Sequence, residues 1–183
     1  MHEPVRVDSL SELQAWLTRH GIPFDAWGRD GSKPVTSLWR EIASGESWLS
    51  EDPPLRQVAV VSVRIEADGK QLTEVRQLMA TGAVRERNSP PTEKLKPGET
   101  AVAGALRCVA EELRVEARYV RVATEPVSTT VEQVDSPSYP GLPTRYLLHT
   151  VAADVRGLPT SAFATDEASG SDAAVHTHHW EWH

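Results

Sequence analysis

Residues 93–115 read EKLKPGETAVAGALRCVAEELRV and predict one capped amphipathic helix in the middle of a chain otherwise rich in strand patterns. Thr100 is a suitable N-cap directly after Gly98 and Glu99. Apolar residues then recur three and four apart and predict one buried face, formed by Val102, Ala105, Leu106, Val109, Ala110 and Leu113. The helical period predicts a second face on the opposite side, formed by Gly104, Arg107, Cys108 and Glu111. Glu112 lies at the edge of this second face.

Valine-rich or alternating segments lie on both sides of this helix. They predict strands at 57–67, 72–80, 83–88, 118–134 (with a break at Pro126), 145–155 and 175–182. A mostly β sheet with one strong central helix indicates an α+β protein, or an α/β/α sandwich.

Two shorter helices are predicted ahead of the sheet, at 9–20 and 34–44, the first with Ser9 and Glu12 in a capping box. Asp52-Pro53-Pro54 breaks the chain, so we expect a helical extension over 1–53 that packs on a main domain over 54–183. Most of the tryptophans fall in the extension: Trp16, Trp27, Trp39 and Trp48. Buried packing is the favoured interpretation of these tryptophans, because aromatic rings bury a large area at such a contact.

The composition restricts partners and location. A net charge of -7 argues against general nucleic-acid binding. No apolar run is long enough to predict a membrane span, and the N-terminus MHEPVRVDSLSEL lacks a signal-peptide pattern. With one cysteine, Cys108, no internal disulfide can form, and a reducing cytoplasm is the expected location.

The spacing of the quoted stretch resembles the Nudix box, which runs Gly, five residues, Glu, seven residues, Arg-Glu, an aliphatic residue, any residue, Glu-Glu, any residue, Gly, an aliphatic residue. The matching positions are Glu99, Arg107, Val109, Glu111, Glu112 and Val115. The order of strands, box loop, helix and strands also fits. The resemblance covers about residues 55–183, and it implies a Nudix-like mixed sheet around the box helix.

The same resemblance implies a metal site. Nudix hydrolases hold Mg²⁺ or Mn²⁺ with box carboxylates, so Glu111 and Glu112 are the expected metal-binding and catalytic residues. Three positions depart from the pattern: Glu93 and Arg114 replace the two glycines, and Cys108 replaces a glutamate that is a principal metal ligand in the family. Because Mg²⁺ prefers oxygen ligands, a thiol at Cys108 is expected to weaken the metal site.

Arginines near the box predict an anion site. Arg85 and Arg87 share one face of a strand by the period of two, and Arg107 lies on the helix. Guanidinium groups suit phosphate or carboxylate. The alternative is a sheet edge whose charge is balanced by Glu74 and Glu86, and the sequence does not separate the two.

Other side chains carry weaker hypotheses. His176, His178 and His179, with His149 as a further ligand, match a zinc pattern loosely, but aromatic and imidazole packing in a terminal strand is favoured. Cys108 is expected to be inert. Phe163 to Glu167 resembles a loop that precedes the last elements in Nudix proteins, so Asp166 or Glu167 is a candidate late carboxylate.

Three functions follow. The first is a divergent Nudix-like protein that binds a phosphorylated or anionic, nucleotide-derived small molecule, with metal-dependent hydrolysis weakened, lost or replaced. The second is an active Mg²⁺- or Mn²⁺-dependent hydrolase of a nucleoside diphosphate linked to another group. The third is an interaction module whose tryptophan-rich helices dock a partner protein or a second copy in a homodimer.

Overall fold

The structure, a computed structural model, describes residues 5–29, 31–167 and 175–183. Within these residues the helices are α1 (Leu10–Arg19), α2 (Val35–Ala43) and α3 (Ala101–Glu112), with short 3₁₀ helices at Phe24–Ala26 and Ala117–Tyr119. The strands are β1 (Trp48–Ser50), β2 (Leu55–Ala67), β3 (Lys70–Met79), β4 (Val84–Ser89), β5 (Thr92–Lys94), β6 (Val120–Val122), β7 (Ser128–Asp135), β8 (Pro143–Val155), β9 (Phe163–Asp166) and β10 (Val175–Trp182). The predicted α+β class, a mixed sheet with the box helix and two preceding helices, is confirmed.

Hydrogen-bonded neighbours in the sheet follow the order β6-β8-β2-β3-β10-β9. Four further strands pair alongside: β1 and β5 with β2, β4 with β3, and β7 with β8. Strand β2 is almost continuously buried, as expected of its run of valines. Strand β10 pairs with β3 from Val175 opposite Met79 to Trp182 opposite Leu72, and this register brings the C-terminal histidines beside β3.

The chain divides into two compact units. Unit 1 holds the described residues up to Ala59 with Lys94–Gly98 and Thr130–Leu148, and unit 2 holds Val60–Glu93, Glu99–Thr129 and the described residues from His149 onwards. The expected boundary between 1–53 and 54–183 stays a prediction. No helix in the described part of the chain is long and apolar enough to cross a membrane.

Helices α1 and α2 supply the core of unit 1. Ser9 caps α1 by accepting a hydrogen bond from the backbone N–H of Glu12 at 3.2 Å, as predicted. The core cluster contains Leu13, Trp16, Leu17, Ile22, Trp27, Leu38, Leu49, Tyr139 and Leu142, and Trp39 packs against it. Trp16 and Trp27 are therefore packing residues, which is the interpretation that the sequence favoured.

Helix α3 begins where the sequence predicted. Thr100 accepts a hydrogen bond from the backbone N–H of Ala103 at 3.2 Å. The predicted faces are partly wrong, because Gly104 and Cys108 are buried while Ala110 is exposed. Gly and Cys are small enough to pack closely, and Glu112, one turn further on, is buried among polar neighbours. The buried stripe therefore runs along Gly104, Cys108 and Glu112 as well as along the larger apolar residues.

Three strand assignments also differ from the sequence analysis. Phe163–Asp166, predicted as a loop, is β9, which pairs antiparallel with β10. The segment 118–134, predicted as a strand with a break at Pro126, begins with a 3₁₀ turn, and β6 and β7 then lie on either side of the predicted break. The short strands β1 and β5 were not predicted, because segments of three residues carry too little periodicity to identify.

Candidate functional site

A buried charge cluster lies in unit 2 beside the C-terminal end of α3. It is formed by Glu74, Arg87, Glu112, Glu167 and His178, and we call it the His178 cluster. Strands β3, β4 and β10 supply three of these residues, α3 supplies Glu112, and Glu167 follows directly after β9. Their convergence depends on the pairing of β10 with β3 and β9, which joins parts of the sequence about a hundred residues apart.

His178 is the centre of this cluster and is almost completely buried. Its Nδ1 lies 2.5 Å from Oε1 of Glu74, and its Nε2 lies 2.5 Å from Oε2 of Glu167. Both ring nitrogens face carboxylate oxygens, and this geometry favours the imidazolium form, in which both nitrogens are donors. Burial alone would lower the pKa of His178, but the hydrogen bonds to Glu167 and Glu74 outweigh it and raise that pKa to about 10.

Glu74 is held as an anion by three donors. Besides His178, Nε2 of Gln77 donates to it at 2.8 Å and Nε of Arg87 donates to it at 3.0 Å. Burial would raise the pKa of Glu74, but the hydrogen bonds from His178 and Gln77 lower it overall. Glu74 therefore balances the charge of Arg87, as the sheet-edge alternative in the sequence analysis expected.

Glu112, the expected metal ligand and catalytic residue, is enclosed and only 9% exposed. Burial raises its pKa well above the ordinary value, and the charges of Glu74, Glu93 and Glu167 add to that rise, although His178 opposes it. Its Oε2 atom makes no hydrogen bond with any other described residue. Burial therefore favours the neutral form of this carboxyl.

Cys108 lies fully buried one turn before Glu112. Burial, followed by the negative charge of Glu112 and a hydrogen bond with it, raises the pKa of the Cys108 thiol well above its ordinary value. The thiol is consequently protonated, which agrees with the expectation that it is inert.

Arg107 organises the remaining box carboxylates. It donates from Nε and Nη2 to both oxygens of Glu99, at 3.0 and 2.9 Å, and from Nη1 to Glu111 at 3.2 Å. Its Nη1 also lies 3.5 Å from Oε1 of Glu93. The hydrogen bonds to Glu99 contribute most to raising the pKa of Arg107. Arg107 and Glu111 thus meet as predicted, in a network of ion pairs that ties the box loop to α3.

The backbone at Arg114 adopts a conformation that suits the glycine of the Nudix box pattern, although the glycine itself is replaced. Arg114, at the position of the closing glycine, has a φ of 60°. This left-handed conformation favours glycine, so Arg114 holds a turn that normally requires one.

Arg85 and Arg87 lie on β4 as predicted. They share one face of the strand, and Glu86 between them lies on the opposite face. Arg87 is tied to Glu74, whereas Arg85 forms no ion pair with any residue in the described ranges. Partial burial and then the positive charge of Arg87 lower the pKa of Arg85. The two guanidinium groups therefore repel each other on this strand.

A concavity of about 380 Å³ lies on unit 2 and is lined by mixed charges and apolar rings. Its lining includes Arg76, Glu86, Phe163, His179 and Trp180. Because Glu86 points into it and alternates with its neighbours along β4, Arg85 and Arg87 belong to the other face of that strand.

The sequence analysis missed the association of His178 with Glu74 and Glu167. Each residue was noticed separately, as a zinc candidate, a charge-balancing residue or a late carboxylate. The alternation of β10 predicts that His178 and His179 face opposite sides, which was the available signal. The register between β10 and β3 was not readable from sequence, so the partners could not be assigned.

The box does not fit an ordinary divalent-cation site. Mg²⁺ and Mn²⁺ prefer charged oxygen ligands, but burial disfavours the charged forms of Glu112 and Cys108, and Glu111 is engaged with Arg107. No group of three or more His, Cys, Asp or Glu side chains among the described residues is placed to hold a metal ion.

Comparison with known proteins finds Nudix hydrolases among solved structures. A Nudix hydrolase from Nitrosomonas europaea is 22% identical, with 68% of this chain and 72% of that chain covered and a TM-score of 0.43. A Nudix-family hydrolase from Clostridium perfringens is 14% identical, covering 68% and 79% at a TM-score of 0.40. An Ap4A hydrolase from C. elegans is 13% identical, covering 68% and 79% at a TM-score of 0.37.

Two of these three solved structures are named as Nudix hydrolases, the family that residues 93–115 resemble. No family model matches the chain, and no curated protein matches it. At TM-scores of 0.43 and below, the similarities carry no argument about what this chain binds or does.

Proposed function

We propose that this chain is a Nudix-like protein that binds a phosphorylated, nucleotide-derived anion, and that its box has lost ordinary metal-dependent hydrolysis. The observation that carries the proposal is the burial of Glu112 against Cys108. Burial shifts this carboxyl towards its neutral form, which is a poor ligand for a divalent cation, and the thiol beside it is a poor replacement for the missing oxygen ligand.

Anion binding is assigned to Arg85, assisted by Arg87. Arg85 is exposed and has no ion-pair partner in the described ranges, so its five N–H donors are available to phosphate oxygens. Arg87 uses Nε on Glu74 and retains other donors for a ligand. Arg107, although expected in the same site, serves here to hold Glu99 and Glu111, because those pairs use its donors.

The ligand is proposed to bind without Mg²⁺ or Mn²⁺. Its expected class follows from the Nudix resemblance, in which the substrates are nucleoside diphosphates linked to another group. A cytoplasmic location for this chain remains a prediction from its single cysteine.

Ligand titrations test the proposal with ADP-ribose, a nucleotide sugar and a dinucleotide as probes, each in EDTA. At least one probe is expected to bind wild type, and Arg85→Ala is expected to weaken it about tenfold or more, since hydrogen bonds to charged groups contribute about 1.5–3 kcal/mol. Arg76→Ala is the matched control, because Arg76 lies on the neighbouring strand and lines the separate concavity.

Two results would overturn the proposal. If Arg76→Ala weakens binding and Arg85→Ala does not, the ligand occupies the concavity and the assignment to β4 is wrong. If Mg²⁺ produces turnover that falls about a hundredfold in Glu112→Gln, the chain is an active hydrolase despite Cys108.

A further inference from the structure

We infer that the concavity on unit 2 binds a small zwitterion, an α-amino acid with an apolar or aromatic side chain, whose carboxylate contacts Arg76 and whose ammonium contacts Glu86. This site is separate from the anion site proposed on Arg85 and Arg87, and neither proposal depends on the other. No residue of the box contributes to it.

The register of three strands places charged and polar side chains next to one another along the concavity. Arg76 on β3 is the direct partner of Glu86 on β4 and of His179 on β10. Residues that face each other across an antiparallel pair point to the same side of the sheet, with Cβ atoms about 4.5–5.5 Å apart. Glu86, Arg76 and His179 therefore form one row, and all three line the concavity.

This row lies on the face of the sheet away from the His178 cluster. His178 contacts Glu74 and Glu167. Because successive side chains of a strand point to opposite faces, His179 points the other way. Arg76 and Glu86 are exposed, so a molecule in solution can reach both side chains.

Arg76 and Glu86 have opposite charges but do not pair with each other. Neither side chain makes an ion pair or a side-chain hydrogen bond with any residue in the described ranges. Glu181, which also lines the concavity, lies 3.6 Å from Nε2 of His183. The guanidinium donors of Arg76 and the carboxylate oxygens of Glu86 are therefore available to a bound molecule.

A ligand with a single charge would meet repulsion at this site. An anion bound to Arg76 would lie beside the carboxylate of Glu86, and a cation bound to Glu86 would lie beside the guanidinium of Arg76. A molecule with both charges on neighbouring atoms satisfies both side chains, because a carboxylate suits a guanidinium and an ammonium donates to a carboxylate. An α-amino acid carries its two charges in this arrangement.

Apolar side chains in the lining indicate the remaining part of the ligand. They are those of Val75, Ala162, Phe163 and Trp180. The Phe163 ring stacks on the Trp180 ring with centroids 6.5 Å apart and 28° between the planes, which holds it in place. A volume of about 380 Å³ lies at the small end of the range for ligand sites and suits a molecule of the size of one amino acid.

Calorimetric titration of the wild-type chain with three related probes tests the inference. The probes are L-phenylalanine, N-acetyl-L-phenylalanine, which lacks the ammonium, and L-phenylalaninamide, which lacks the carboxylate. L-Phenylalanine is expected to bind. Each blocked probe is expected to bind about tenfold or more weakly, because it loses one charge-assisted hydrogen-bonding partner.

Two variants assign each charge of the ligand to a side chain. Arg76→Gln is expected to weaken L-phenylalanine binding about tenfold or more without weakening binding of the amide, which has no carboxylate to lose. Glu86→Gln is expected to weaken L-phenylalanine binding to a similar extent without weakening binding of the acetylated probe.

Arg121→Gln is the matched control for these variants. Arg121 is an exposed arginine on β6, at the other end of the strand order, so its replacement should leave the binding of all three probes unchanged. The three substitutions lie at exposed positions, so the variants are expected to fold, and thermal unfolding checks this.

Three results would overturn the inference. The first is that neither L-phenylalanine nor L-leucine binds wild type at millimolar concentrations. The second is that either blocked probe binds as tightly as L-phenylalanine, because the site would then recognise one charge only. The third is an equal loss of binding in Arg121→Gln and Arg76→Gln, which would show that the general charge of the chain, and not the concavity, determines binding.

Discussion

Glu41, on α2, shows how one buried carboxylate is stabilised in unit 1. It accepts from Arg56 at 2.6 Å and from Tyr139 at 3.1 Å, and Lys94 and Lys33 lie 2.8 and 3.0 Å away. The guanidinium of Arg56 also lies 5.1 Å from the Tyr139 ring centroid. Glu41 is 5% exposed, so its charge depends on these partners.

Replacing Glu41 with glutamine is expected to destabilise the fold by about 3–5 kcal/mol, because it leaves the buried guanidinium of Arg56 without its counter-charge. The free energy of unfolding in urea measures this loss. Glu66→Gln, which breaks the exposed pair with Arg64, is the matched control and is expected to cost about 0–1 kcal/mol. Equal losses in the two variants would contradict the role assigned to Glu41.

Glu41 also predicts an acid dependence of stability. Burial alone would raise its pKa, but the charges of Arg56, Lys94 and Lys33 outweigh burial and lower it from 4.5 to about 2. Since the folded pKa lies below the unfolded one, the stabilisation is fully present above about pH 4.5 and is lost as the pH falls towards about 2.

The difference in unfolding free energy between wild type and Glu41→Gln should therefore narrow over this acid range. Urea unfolding at a series of pH values measures it. A difference that stays constant from neutral pH down to about pH 2 would show that the carboxylate titrates alike in the folded and unfolded chain.

At the scale of elements, helices α1 and α2 both end before a glycine in the left-handed region. Gly21 follows α1 with a φ of 67°, and Gly45 follows α2 with a φ of 77°. They differ in their surroundings: a Cβ at Gly21 would meet nothing within 4 Å, whereas one at Gly45 would overlap Cγ of Pro97.

Substitution with alanine is therefore expected to lower the free energy of unfolding by different amounts at the two positions. Gly21→Ala should destabilise by about 1–2 kcal/mol through its left-handed backbone, and Gly45→Ala by about 1–3 kcal/mol more through overpacking. Thermal or urea unfolding of both variants measures the difference. If Gly45→Ala is no worse than Gly21→Ala, Pro97 moves aside without cost.

An element could be predicted from the sequence when its own residues carried the cap, spacing or alternation that defines it. Helix α1 was predictable because Ser9, Glu12 and the leucine spacing all lie within one segment. Strand β10 was predicted with its observed bounds by alternation alone. Strand β9 was missed because its pairing with β10, not its four residues, makes it a strand.

The candidate site was predictable only in its local parts. The pairing of Arg107 with Glu111 follows from helical spacing, and it is observed. The burial of Glu112 and Cys108 and the ion pairs of His178 depend on tertiary contacts that spacing does not encode. The charged face expected on α3 was for this reason only partly correct.

At the scale of the molecule, two buried charge networks among the described residues have different chemical consequences. In unit 1, Glu41 remains ionised because several cations surround it. In unit 2, Glu112 is driven towards its neutral form, while Glu74 and Glu167 contact His178. The second network includes Glu112 of the box, where burial disfavours the charged form of the carboxyl.

Metal-independent anion binding is tested most directly by calorimetry. ADP-ribose is titrated into the wild-type chain once in EDTA and once in Mg²⁺, and the products are analysed after each titration. We predict the same Kd in both buffers and intact ADP-ribose at the end of each titration. Binding that requires Mg²⁺, accompanied by release of phosphate-containing products, would contradict it.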